Sequence, residues 1–98
     1  MTLYYDHQGK PISLVQWAAR MEDMSCNRVA ETTLADGKWV STVWLGRDTG
    51  LPALIFETMV FPAHDSLENL DCERYTTEAE ALMGHQRMVE KWMHGEPL

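Results

Sequence analysis

Glu57 is the one charged residue in the run Leu54-Ile55-Phe56-Glu57-Thr58-Met59-Val60-Phe61-Pro62. A carboxylate taken out of water is costly unless it finds a partner. Three readings follow. Glu57 faces solvent on the outer side of a strand. Or it is bonded across the sheet, to a hydroxyl such as Ser41 or Thr42 or to an arginine. Or it is a functional acid set in an apolar patch. In the last case it would work with Thr42, Asp48 and His85 around a polar site on the sheet, in a small enzyme or ligand-binding domain.

The remaining chemistry-bearing residues are dispersed. His7, His64, His85 and His94 show no HExxH or other ligand spacing, and Cys26 and Cys72 form no CxxC pair. A zinc site needs three or four convergent ligands, so no metal and no cofactor are expected. Gly46-Arg47-Asp48-Thr49-Gly50 matches no nucleotide fingerprint, and no serine sits in a GxSxG elbow, so no catalytic residue is assigned. The aromatic and methionine load points elsewhere. Four tryptophans and seven methionines exceed what a small core usually uses, and Trp, Tyr, Met and Arg are the types enriched at protein interfaces.

Charge narrows the partner. Eight Lys and Arg stand against fifteen Asp and Glu, a net charge of −7. Such a chain lacks the clustered cations that displace counterions from nucleic acid, and it suits a basic partner surface. The partner-facing set is then Trp39 and Trp44 as aromatic anchors, Asp65, Glu68, Asp71 and Glu73 on the acidic stretch 64–73, and Glu78 and Glu80 at a helix start. A self-paired homodimer is another way to bury the spare aromatics.

The elements that must position these groups are legible from pattern. A chain of 98 residues makes one domain, 1–98, with one small core. Residues 2–5 read as a short strand and Asp6–Lys10 as a turn. Ser13 and Gln16 form a capping box, with Ile12 and Trp17 as its hydrophobic staple, and open a helix over about 14–24. Leu14, Trp17, Ala18 and Met21 share one face of it. Residues 28–34 and the stretch from Trp39 form a hairpin about Asp36-Gly37. A two-residue primed turn there sets Leu34 opposite Trp39, Thr32 opposite Ser41 and Ala30 opposite Val43. That face is taken as the core face, leaving Val29, Glu31, Thr33, Val40, Thr42 and Trp44 on the other. Strands near 53–61 and 72–75 follow. Thr77 and Glu80 then cap a helix over about 78–93, with Leu82, His85, Val89 and Trp92 along one side. The architecture implied is an α+β two-layer sandwich, an antiparallel meander of three to five strands packed by two helices. No cationic and apolar leader opens the chain and no apolar run approaches 18 residues, so a cytoplasmic protein with reduced thiols and no membrane span is expected.

Three blocks of the chain resemble one family. They are Val40-Ser41-Thr42-Val43-Trp44-Leu45-Gly46-Arg47-Asp48, then Phe56-Glu57-Thr58-Met59-Val60-Phe61, then Arg74 to Ala81 with Gly84-His85. The family comprises small proteins of tailed phages, prophages and their bacterial hosts, and the resemblance runs from about Val29 to Val89. It implies a protein that binds host machinery, a host protein or ribonucleoprotein complex, as an anti-CRISPR or other anti-defence inhibitor does. Family members often carry a His after the Asp matching Asp48 and a longer Gly-rich loop. Here that position is Thr49 and the loop is short, so no site built on an Asp–His pair is expected in this chain.

Overall fold

In the computed structural model, which describes residues 3–93, the chain is α+β with two antiparallel sheets. Its elements in order are β1 (Leu3–Tyr5), β2 (Pro11–Ile12), α1 (Leu14–Met21), α2 (Met24–Asn27), β3 (Arg28–Thr33), β4 (Trp39–Trp44), β5 (Arg47–Asp48), β6 (Phe56–Phe61), β7 (Asp71–Tyr75) and α3 (Glu78–Met93). The larger sheet is a meander of order β3-β4-β6-β7. The smaller one, β2-β1-β5, is built from segments of two or three residues, too short to show a period in sequence.

Local chemistry sets the boundaries. The Ser13 hydroxyl accepts from the Gln16 amide and the Gln16 side chain accepts from the Ser13 amide, starting α1 where the capping box predicts. The expected continuation to residue 24 fails at Asp23. Its carboxylate accepts from the Cys26 amide and begins a separate turn, α2. Leu14 and Ala18, expected on a packed face of α1, are exposed, and Trp17 and Met21 carry its contacts. Thr77 and Glu80 make the reciprocal cap at α3. The helix-end signals Gly95 and Pro97, with His94, lie outside the described residues.

The hairpin between β3 and β4 differs from expectation by one residue. The Gly37 amide bonds to the Leu34 carbonyl and the Leu34 amide to the Lys38 carbonyl, with Gly37 at φ +93°. The loop is therefore three residues, Ala35-Asp36-Gly37, with glycine in the left-handed position that such loops require. Thr33 then opposes Trp39, Thr32 opposes Val40 and Ala30 opposes Thr42. Because side chains alternate, a slip of one residue exchanges the two faces. The face buried against α3 holds Thr32, Val40, Thr42 and Trp44, not the face of Trp39, Ser41 and Val43 assigned from sequence.

Two buried clusters make the core. Leu34, Val40, Val60, Met88 and Val89 pack at one end of the sheet, with Trp92 against them. Trp44, Ile55, Phe56, Tyr75 and Ala81 pack at the other, closed by Tyr5, Trp17 and Met21 from the small sheet and α1. On α3 the buried residues are Ala81, Gly84, His85, Met88 and Val89, while Leu82, expected inward, is 48% exposed.

Gly84 is the point of closest approach of α3 to the sheet, because a Cβ there would overlap the Tyr75 ring. In an open helix, Gly→Ala gains about 1 kcal/mol. Here overpacking reverses the sign, and Gly84→Ala should cost about 1–3 kcal/mol. A urea midpoint lower than wild type with an unchanged slope is the expected result.

Candidate functional site

The groups singled out for chemistry fall on the two sides of the larger sheet. Under α3, His85 bridges two strands. Its Nδ1 bonds to the Thr42 hydroxyl at 2.7 Å and its Nε2 to the Thr32 hydroxyl at 2.9 Å. Thr42 bonds in turn to the Thr58 hydroxyl of β6. Thr42, Thr58 and His85 are all buried. Each imidazole nitrogen has a partner, so the ring is a satisfied polar clasp between helix and sheet. Burial pushes the His85 pKa below the ordinary histidine value.

Glu57 lies between Phe56 and Thr58, and those two point toward α3, so its side chain points to the opposite face. It is only 5% exposed. Arg74, its direct cross-strand neighbour on β7, donates from Nε to Glu57 Oε2 at 2.9 Å. The Cys72 thiol donates to the same oxygen at 3.4 Å. Of the readings open from sequence, the arginine pair is the one realised. Neither Ser41 nor Thr42 is its partner. The four polar residues expected to converge do not: Thr42 and His85 are on one side and Glu57 is on the other. Asp48 lies on β5, where its carboxylate accepts from the Leu54 amide at 2.8 Å. That bond, helped by nearby amides and by Arg74, holds the Asp48 pKa below the usual carboxylate range.

Arg74 is the partner of Glu57 that the sequence reading left unnamed, giving it only as an arginine. The signal that could have found it is the match of acid and base across β6 and β7 once register is known. Arg74 lines a cleft of about 540 Å³ together with Arg47 and Asp48 on its polar side and Trp17, Met21 and Leu45 on its apolar side. The Trp17 indole donates to the Leu45 carbonyl at 2.9 Å, and the Arg47 guanidinium lies over the Trp17 ring at 5.5 Å.

The partner-facing set is also divided. Trp44 is 1% exposed, stacked by His7 at 4.5 Å, and is core; it cannot anchor a partner. Trp39 sits partly exposed on the face that points away from α3, 5.5 Å from the Phe61 ring and 4.7 Å from His64. Its indole donates to Glu31, and Arg28 lies over its face. Asp65 and Glu68 are exposed on the connection that carries His64. Asp71 is held by Lys91 and Trp92 of α3, and Glu73 by Arg87, so these two acids join helix to strand. Glu80 is the α3 cap and Glu78 is exposed in its first turn, at the end of the sheet away from Trp39.

Cys26 and Cys72 are free thiols, both exposed rather than buried as small apolar groups. Among the described residues no group of three or more ligating side chains could hold a metal ion. No helix of the described residues is long and apolar enough to cross a membrane. Compared with protein families, curated proteins and solved structures, the chain matches none.

Two predictions follow from these geometries. A group whose folded pKa is depressed takes up its proton first in the unfolded chain. His85 therefore costs nothing above about pH 6.5, and stability falls as pH drops below that value. The urea midpoint should decline from pH 7.5 to 5.5, and His85→Gln should flatten that decline; an equal decline in the variant would assign it to other groups. Desolvation and the bond to Glu57 push the Cys72 thiol up to about 11. In a Cys26→Ser background, alkylation of Cys72 at pH 8 should be slow, and Glu57→Gln should speed it severalfold.

Proposed function

We propose that the protein is a non-enzymatic binding module that grips a partner through the sheet face α3 leaves uncovered. The observation that carries this reading is Trp39, partly exposed between Phe61 and His64 at one end of that face. A rigid indole flanked by aromatic rings is the kind of group that dominates binding energy at interfaces. Its backing is already fixed, since Glu31 holds the indole nitrogen and Arg28 covers one side. Little side-chain entropy remains to be lost on docking. The dispersal of Thr42, Asp48, Glu57 and His85 speaks against a catalytic centre on the sheet.

The partner that suits this surface has an apolar notch set in a basic surround. Asp65 and Glu68 supply the anionic flank next to the aromatic group, with the rest of the acidic stretch engaged by α3. The resemblance to phage-associated proteins supports a host protein or ribonucleoprotein complex as that partner, and inhibition by occluding its basic surface as the mechanism. An anti-defence inhibitor of the anti-CRISPR kind is its sharpest form. The net charge of −7 favours faster association at low salt without requiring mimicry of nucleic acid.

Affinity capture from a bacterial host lysate, followed by purification of the retained complex, gives the measurement. Trp39→Ala should weaken binding to it about 30-fold or more, the loss of about 2 kcal/mol expected of a hot spot. Asp65→Asn with Glu68→Gln should slow association and reduce its salt dependence, whereas Glu78→Gln should change neither. Full-strength binding by Trp39→Ala refutes the reading. A dimer seen by light scattering and abolished by the same substitution would reassign the face to self-association.

A further inference from the structure

We propose that the cleft between α1, β5 and β7 binds a small organic monocarboxylate with an apolar body, as a free acid or as the carboxy terminus of a peptide. The Glu57–Arg74 pair lies toward the other end of β6 from Trp39, on the same side of the sheet, and the proposal does not rest on the reading given for Trp39. The cleft measures about 540 Å³, within the range of about 300–1,000 Å³ usual for small-molecule sites.

Two guanidinium groups reach this cleft with donors to spare. Arg74 spends Nε on Glu57, and the structure gives its Nη groups no acceptor among the described residues. The Arg47 side chain has no hydrogen bond or ion pair among the described residues and contacts the Trp17 ring through its cationic face. A guanidinium carries five N–H donors in a rigid fork matched to a carboxylate. Burying Glu57 in the sheet fixes where the Arg74 fork points, so the ligand meets a preset donor edge. This gives the acid in the apolar run a task, holding the arginine that does the binding.

The ligand class follows from charge and lining. Arg47 and Arg74 are balanced by Asp48 and Glu57, so the site has no excess positive charge to hold a dianion. Asp48 is committed to the Leu54 amide and offers no free oxygen pair for a metal. A monoanion can take the open guanidinium edges without being forced against both carboxylates. Trp17, Met21 and Leu45 supply an apolar wall for its body, and the indole nitrogen, already bonded to Leu45, asks nothing of the ligand.

The test is an amide and arginine-side-chain NMR titration of the full chain. The probes are 4-phenylbutyrate for the free acid and acetyl-glycyl-phenylalanine for the peptide terminus. Their carboxamides and inorganic phosphate serve as comparators. The acids should give saturable shifts at the Trp17 indole and the Arg74 Nε proton, and the carboxamides should bind at least about tenfold more weakly. The tighter of the two acids identifies the source. Arg47→Gln should weaken binding about tenfold, and so should Arg74→Lys, which keeps a cation for Glu57 but removes the fork. Equal binding of acids and carboxamides, phosphate binding as tight as the acids, or no saturation by either acid overturns the proposal.

Discussion

One long helix can seal only one face of a four-stranded sheet, and the contact between Gly84 and Tyr75 lets α3 do so at close range. With no Cβ at that turn, the Tyr75 ring lies directly against the helix. The buried stripe of α3 then reaches Val40 and Val60 through Met88 and Val89. Every other assignment follows from which face is sealed. Strand alternation sends Val40, Thr42 and Trp44 inward, and so sends Trp39, Ser41 and Val43 outward. The outward face of β6 must then carry Glu57.

The sealed face is not wholly apolar: the Trp44 indole nitrogen and the Tyr75 hydroxyl are buried there without a hydrogen-bond partner among the described residues, but one histidine and three threonines form a self-sufficient group. His85 and Thr32, Thr42 and Thr58 satisfy one another, which is the condition under which buried polar groups are tolerated. Such a network rewards one position of α3 along the sheet, because a shift of the helix would orphan several groups at once. The ties from Asp71 to Lys91 and Trp92, and from Glu73 to Arg87, repeat the same registration at the sheet edge. Those ties are largely exposed and individually weak. Their effect is to convert an acidic strand into a helix-facing edge rather than a free anionic surface.

Both capping boxes, the extent of α3, the fourth strand and the α+β class were legible because each has a local cause. Ser13 with Gln16 and Thr77 with Glu80 carry their own hydrogen-bond logic, independent of the rest of the fold. The hairpin register was not legible. Asp36-Gly37 fits a two-residue loop and a three-residue loop equally well, and only the tertiary partner of each face decides between them. That single ambiguity moved Trp44 from surface to core. The candidate site failed for a related reason: Thr42 and Glu57 are on adjacent, hydrogen-bonded strands, yet one residue of offset sends them to opposite sides. Arg74 was invisible as a partner because cross-strand pairing depends on a loop, residues 62–70, whose length carries no register information.

Glu57 joins these observations. An acid at 5% exposure beside apolar neighbours would destabilise the sheet if left alone. Arg74 compensates it from a side chain that is itself 49% exposed, so the pair has one buried and one wet end. Screening at the wet end limits what the pair adds to stability. A Leu or Val at 57 would fill the same strand position at less electrostatic cost. The acid therefore makes better physical sense as a means of orientation than as a source of stability. It aims a guanidinium at the cleft from a rigid strand instead of from a loop. Placement on a strand gives the Arg47–Arg74 cleft a defined geometry, and the same strand, four residues on, ends at Phe61 beside Trp39.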